Sequence, residues 1–167
     1  MAILTHPFAD LLPEKTRAGL ERKIQATAHP RELAVDVMLA IQSENGFLSD
    51  DGVKLAAHML EMTPVEIEEL ATFYNYIYRE PVGEHVIHVC DSLMCRLDGC
   101  PGIKEYLCSK LDIEPGQTTD DGLITLLPAC CLGYCDHSPA MLLDGKVYGD
   151  LTFEKLDQII DGLNGKN

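Results

Sequence analysis

"LITLLPACCLGYCDHSP", residues 123–139, begins as a strand and ends with three cysteines within six positions, Cys130, Cys131 and Cys135, beside Gly133, Asp136 and His137. Upstream, "HVIHVC" (85–90) also reads as a strand whose last residue is a cysteine, and Cys95 follows after four intervening residues. Taking Cys131 with Cys135, the pattern is C-x4-C, a gap of 35 residues, then C-x3-C. Loops that leave adjacent strands at one end of a sheet lie together, so two thiol pairs placed this way can converge on one site.

Composition narrows what such a site can serve. The 167 residues are 46% apolar and 24% charged, the profile of an ordinary folded protein. A formal net charge of -14 repels phosphate backbones and anionic lipid, so nucleic acid is not an expected partner. The best apolar stretch, "LAVDVMLAI" (33–41), is short and interrupted by Asp36, well under the roughly 20 residues of a spanning helix, so no membrane insertion is expected. "MAILTHPFADLLPEK" at the start shows no basic leader followed by a long apolar region, which makes the cytoplasm the expected compartment. Seven cysteines in a reducing compartment point to metal binding before disulfides.

All seven lie beyond residue 89, and this asymmetry divides the chain into an expected helical bundle, 1–80, and a cysteine-bearing domain, 81–167. Four helices are expected in the first part: 13–28 with Leu20 and Ile24, one from Pro30 with Leu33, Ala34, Val37, Met38 and Ile41 on one stripe, 50–61 with Val53, Ala56, Ala57 and Leu60, and one from Thr63 to about Tyr74. Gly46 suits a left-handed helix end, and Thr63, Pro64 and Glu66 spell a capping box. After the Pro81 and Gly83 break, the second part reads strand, helix (102–111), strand, a hairpin around Asp144 and Gly145, and a terminal helix. Thr152 caps that last helix, with Phe153, Leu156, Ile159, Ile160 and Leu163 turned inward. The fold class is therefore α/β, a mixed sheet with flanking helices preceded by a small helical bundle.

Four thiolates in a reducing compartment mean zinc or iron with sulfide. Zinc sites favour tight C-x2-C knuckles, whereas the wider spacings here suit a binuclear cluster reached from two sides, which favours 2Fe-2S. A structural zinc domain used only for interaction remains open on spacing alone. A redox disulfide is third, because no thioredoxin-type C-x-x-C occurs.

The segments "ATFYNYIYREPVGEHVIHVCDSLMC" (71–95), "GIKEYL" (102–107) and "DGLITLLPACCLGYCDHSPAMLLDG" (121–145), with the helical lead-in, resemble the 24-kDa (E) subunits of bacterial NADH:quinone oxidoreductase, respiratory complex I, over about residues 14–163. The resemblance implies one 2Fe-2S cluster on a thioredoxin-like domain, with Cys90, Cys95, Cys131 and Cys135 as ligands. It also implies a heterodimer with a flavin subunit that holds FMN and the NADH site, and a place in the peripheral arm on the cytoplasmic side of the inner membrane. This chain would exchange single electrons with that flavin. It carries no G-x-G-x-x-G after a strand and no nucleophile arrangement, so no hydride-transfer site is expected on it. The small diaphorase subunit of an NAD-dependent formate dehydrogenase or NAD-reducing hydrogenase shares the pattern and is the alternative host.

The other candidates have plainer expectations. Neighbouring residues at a strand end point to opposite faces, and the family's register selects Cys131, which leaves Cys130 to pack. Cys100 and Cys108 are expected to pack or lie exposed as small side chains. Half of a Rieske pattern, C-x-H at Cys135 and His137, lacks its C-x-x-H counterpart, so His137 and His88 are expected to be loop and strand residues. Gly133 can free backbone N–H groups to approach sulfur, or simply turn the chain. Arg96 and Lys104 are candidate positive neighbours, with solvated surface charge as the plainer reading.

Overall fold

The computed structural model describes residues 8–164. The chain divides between Pro81 and Val82 into two compact units.

The first unit holds α1 (Glu14–Ala26), α2 (Ala34–Asn45), α3 (Asp50–Leu60) and α4 (Pro64–Phe73). Its apolar stripes face one another: Leu20, Val37, Met38, Ile41, Val53, Ala56, Leu60 and Ile67 are all buried. Pro13 is the residue before α1 rather than its first helical position. Pro30–Leu33 is a 3-10 turn, and the α-helix begins only at Ala34. Helix starts commonly tighten in this way, because the first N–H groups have no partner within an α-helix. Gly46 takes a φ of 80° and closes α2 through its N–H to the Gln42 carbonyl. Thr63 Oγ1 accepts from the Glu66 N–H, and the Glu66 carboxylate accepts from the Thr63 N–H at 2.8 Å, completing the capping box.

Residues past α4 are tied back to the bundle by polar contacts. The Gln42 side chain donates to the Tyr76 carbonyl (2.9 Å) and accepts from the Tyr78 N–H (2.6 Å). Arg79 spans Glu68 and Asp50 and also donates to the Leu48 carbonyl.

The second unit is built on a four-stranded sheet in the order β2-β1-β3-β4, with β1 at His85–Cys90, β2 at Ile124–Ala129, β3 at Met141–Leu143 and β4 at Lys146–Tyr148. β1 and β2 are parallel, with His85 opposite Ile124 and Cys90 opposite Ala129. β3 runs antiparallel to β1 and pairs with β4 through a two-residue turn, Asp144 and Gly145, both at positive φ. Between β1 and β2 lie α5 (Leu93–Leu97) and α6 (Cys100–Leu111), and α7 (Phe153–Asn164) closes the unit. Ile87, Val89, Ile103, Leu107, Leu126, Met141, Leu156 and Ile160 form its core.

Among the elements of the second unit, three features differ from the sequence expectations. α5 has no counterpart among the expected elements. α6 starts at Cys100 instead of 102, because Pro101 fits a first helical turn and Gly99, at φ 95°, reverses the chain just before it. Phe153 is 48% exposed instead of inward, and stacks on Tyr106 with ring centroids 4.6 Å apart. It opens α7 one turn before the buried Leu156, beyond the end of the core-facing stripe.

Gly149 follows β4 and passes against the 134–137 segment. A Cβ there would lie 2.5 Å from the His137 carbonyl oxygen and 2.7 Å from the Tyr134 ring, so only glycine fits. Gly149→Ala should therefore cost about 1–3 kcal/mol by overpacking, read as an earlier unfolding midpoint in urea. Thr63→Ala should remove the α4 cap and cost about 1 kcal/mol in the same measurement, while Thr63→Ser keeps most of it.

Candidate metal centre

Cys90 closes β1 and Cys131 lies two residues beyond the end of β2, so the parallel register of these strands delivers both cysteines to the same end of the sheet. The Cys90 N–H donates to the Ala140 carbonyl (3.1 Å) and the Asp91 N–H to the Ala129 carbonyl (2.8 Å), which pins the strand end on both sides. Ser92 then precedes α5, and this short helix turns Cys95 back into the interior: Cys90 is 2% exposed and Cys95 is 1% exposed.

The second pair lies in a loop held open to its surroundings. Cys131 and Cys135 are exposed, and Cys135 opens a 3-10 turn, Cys135–His137. Gly133 adopts φ 71°, which aims its N–H at Cys131 Sγ (3.4 Å), so the glycine does serve a sulfur. The far side of this loop is anchored. The His137 ring stacks on Tyr134 (4.7 Å between centroids), its Nδ1 meets Asp150 at 2.9 Å, and the Asp150 N–H donates to the His137 carbonyl at 2.7 Å.

The four thiols form a connected set. The Cys131 thiol is held below its ordinary range, first by the Gly133 N–H and next by the Ser92 hydroxyl from the loop after β1, with Cys135 and Cys90 adding to the effect. Burial pushes Cys95 up to about 11, helped by its hydrogen bond with Cys90. Burial and then the charge of Cys131 raise Cys135. A cluster of this kind resists full ionisation unaided, because each thiolate repels the next; bound metal removes that obstacle by neutralising them. Among the described residues no three His, Cys, Asp or Glu side chains are grouped to hold a single metal ion. Two thiol pairs arriving from two loops would suit a binuclear group.

The remaining expectations resolve individually. Cys130 is exposed, not packed, because β2 ends at Ala129 and strand alternation does not extend to it. Cys100 is buried at the first position of α6, and its thiol donates to the Cys90 carbonyl at 2.7 Å. Cys108 is half-buried on α6. His88 is a buried residue of β1, and His137 is held in the loop by Tyr134 and Asp150. Arg96 and Lys104 both approach Asp91, at 3.5 and 3.9 Å, so their charge is shared with the carboxylate next to Cys90. Sequence reasoning missed Ser92, and it placed Cys100 as a packing residue without its bond to the Cys90 carbonyl. The serine before "LMC" is a helix-start signal that would have revealed α5.

Residues 20–164 match the family described as thioredoxin-like 2Fe-2S ferredoxin. The E subunit of the NADH-quinone oxidoreductase of Escherichia coli (strain K12) is 39% identical over 145 residues, 87% of this chain and 87% of that protein. Its namesake in Pseudomonas aeruginosa (strain PAO1) is 34% identical over 151 residues, 90% of this chain and 91% of that one. Among solved structures, the air-oxidised NAD+-reducing NiFe-hydrogenase shares the fold, with a TM-score of 0.67 and 24% identity over 78% of this chain and 23% of the hydrogenase chain. On the family match and on relatives this similar over nearly their whole length, the chain belongs to the thioredoxin-like 2Fe-2S ferredoxin family.

Proposed function

We propose that this chain is the electron-transfer subunit of an NADH:quinone oxidoreductase, binding one 2Fe-2S cluster through Cys90, Cys95, Cys131 and Cys135 close to the FMN of a flavin- and NADH-binding partner subunit. The observation that carries the reading is the meeting of two thiol pairs at the ends of the parallel strands β1 and β2, with Cys131 interacting across the gap with Ser92 and Cys90. A 2Fe-2S group bound there supplies a one-electron acceptor and donor.

The chain's own residues do the rest. Cys90 and Cys95 would hold the group from buried positions, and Cys131 and Cys135 from exposed ones. The Gly133 N–H favours the thiolate form of Cys131. On α5, Leu93 and Leu97 are exposed by 69% and 72% on either side of Cys95, an apolar border of the kind a partner protein covers. Likeness to the respiratory relatives supports a place in the peripheral arm, on the cytoplasmic side of the inner membrane. No helix among the described residues is long and apolar enough to cross a membrane. Hydride chemistry belongs to the partner. The name borne by the relatives at 34% and 39% identity favours the respiratory host over a hydrogenase or formate dehydrogenase diaphorase, since the hydrogenase likeness speaks for the fold alone.

Anaerobic purification should yield two irons and two acid-labile sulfides per chain, and dithionite reduction an EPR signal from one unpaired electron. One zinc without sulfide would instead establish a structural zinc domain. Identifying the flavoprotein and other subunits that copurify from native cells distinguishes a quinone reductase from a hydrogenase or formate dehydrogenase. Within the second loop, Cys131→Ser should perturb or abolish the cluster, while Cys130→Ser should leave its visible and EPR spectra nearly unchanged. The reverse ranking would move the ligand register by one residue.

A further inference from the structure

Cys100 stands in the second unit, 1% exposed, and is not one of the four proposed ligands. Its Sγ–H donates to the carbonyl of Cys90 at 2.7 Å. That carbonyl belongs to the same peptide group as the Asp91 N–H, which donates to Ala129 on β2 at 2.8 Å. The C=O and N–H of a trans peptide point in opposite directions. The peptide that follows Cys90 is therefore clamped from both sides, by a neighbouring strand at its nitrogen and by a side chain of α6 at its oxygen. The orientation of this plane sets how the chain leaves β1 and which way the Cys90 side chain leaves the backbone.

The local sequence is arranged to deliver Cys100 to this spot. Gly99 takes φ 95° in a region where a Cβ would meet nothing within 4 Å, so the glycine serves the backbone conformation and not the space. That reversal allows α6 to begin immediately, with Pro101 in its first turn and Cys100, Ile103 and Leu107 on the buried face. A carbonyl buried beside Cys90 without a donor would carry a desolvation penalty, and among the described residues the Cys100 thiol is the donor recorded for it.

We propose that Cys100 is a positioning residue for the cluster: its thiol hydrogen, bonded to the Cys90 carbonyl, fixes the peptide plane that aims the Cys90 ligand, and it offsets the negative end of a carbonyl dipole next to the iron-sulfur group. This rests on the reading of Cys90, Cys95, Cys131 and Cys135 as ligands. Cysteine suits the task because sulfur reaches further than a serine oxygen while filling an apolar position among Ile103, Leu107 and Val89.

The test uses the full chain, loaded with cluster, as wild type and as Cys100→Ala, Cys100→Val and Cys100→Ser. Valine fills the volume without a donor, and serine keeps a donor. The alanine and valine proteins should retain two irons and two sulfides, yet release iron to a chelator about fivefold faster, the effect of losing one buried hydrogen bond. Their reduction midpoints, followed by EPR, should move to more negative potential, because a carbonyl no longer offset by the thiol hydrogen disfavours the added electron. Serine should lie at or above the wild-type potential and restore the slower iron release. The inference is overturned if valine matches wild type in both measurements, if serine moves with valine, or if alanine and valine hold no iron at all, which would make Cys100 a ligand. Should either apolar variant fail to fold, the other carries the comparison with serine. A wild-type protein that binds no iron and sulfide defeats the functional reading itself; a loaded wild type with an unaffected valine variant defeats only this inference.

Discussion

Cys90 faces Ala129 across a parallel pair of strands, and this register brings together two loops separated by 35 residues of sequence. Parallel neighbours cannot be joined by a tight turn; they need a crossover, and here α5 and α6 fill it. The same crossover supplies Cys95 on α5 and Cys100 at the head of α6, so the connection demanded by topology also carries one thiol of the set and the donor behind another. β3 contributes from the opposite side, since the residue before it, Ala140, accepts the Cys90 N–H. A slip of the β1–β2 pairing by one residue would turn every side chain of the strand to its other face and separate the sulfurs, while also removing Ile87 and Val89 from the core. Core packing and site assembly are thus enforced by the same register.

The electrostatics follow from where the donors lie. The chain is strongly acidic, and its two basic side chains near the site, Arg96 and Lys104, are engaged by Asp91. Stabilisation of negative charge on sulfur therefore falls to short-range groups: the Gly133 N–H and the Ser92 hydroxyl, both acting on Cys131. These donors are uncharged and fixed by the backbone, and they sit on the exposed half of the thiol set. On the buried half the Ala140 N–H acts on Cys95 in the same way, but burial outweighs it and pushes that thiol up to about 11. On the proposed reading Cys131, on the outward-facing side where a redox partner would approach, is the thiolate best served by hydrogen bonds.

Much of this was legible because it rests on local rules. The capping box at Thr63 and Glu66, the left-handed Gly46, the Asp144-Gly145 turn and the strands at 85–90 and 124–129 each follow from residue type and spacing, and the structure contains all of them. The fold class and the spacing of the thiols came from the same kind of reading, with the family resemblance selecting the register of the second pair. What stayed hidden is either too short to show a repeat or depends on contacts distant in sequence. α5 is five residues long and has no amphipathic repeat, so periodicity is silent about it. The strand argument for Cys130 failed because the sheet pairing stops at Ala129, a boundary set by β1 and not by the sequence of β2. The ties of Gln42 to Tyr76 and Tyr78, and of Arg79 to Glu68 and Asp50, join residues up to 36 positions apart, for which no local pattern exists.

Backbone freedom is concentrated where the thiol loops need it. Gly99 reverses the chain ahead of Cys100, Gly133 turns its N–H onto Cys131, and Gly149 lets the segment after β4 pass against His137 and Tyr134. Each permits a backbone path that a side chain would block or strain, and each path is then locked by hydrogen bonds: Cys100 to Cys90, Gly133 to Cys131, and Asp150 to His137. Glycine alone would leave these loops loose, and the hydrogen bonds alone could not form without the glycine conformations. A centre that gains and loses single electrons benefits from ligands whose positions are fixed in advance, because surroundings that are already arranged have less to move when the charge changes. The pairing of permissive residues with fixed donors, and not the cysteine spacing by itself, is what distinguishes this loop arrangement from four thiols that are merely close together.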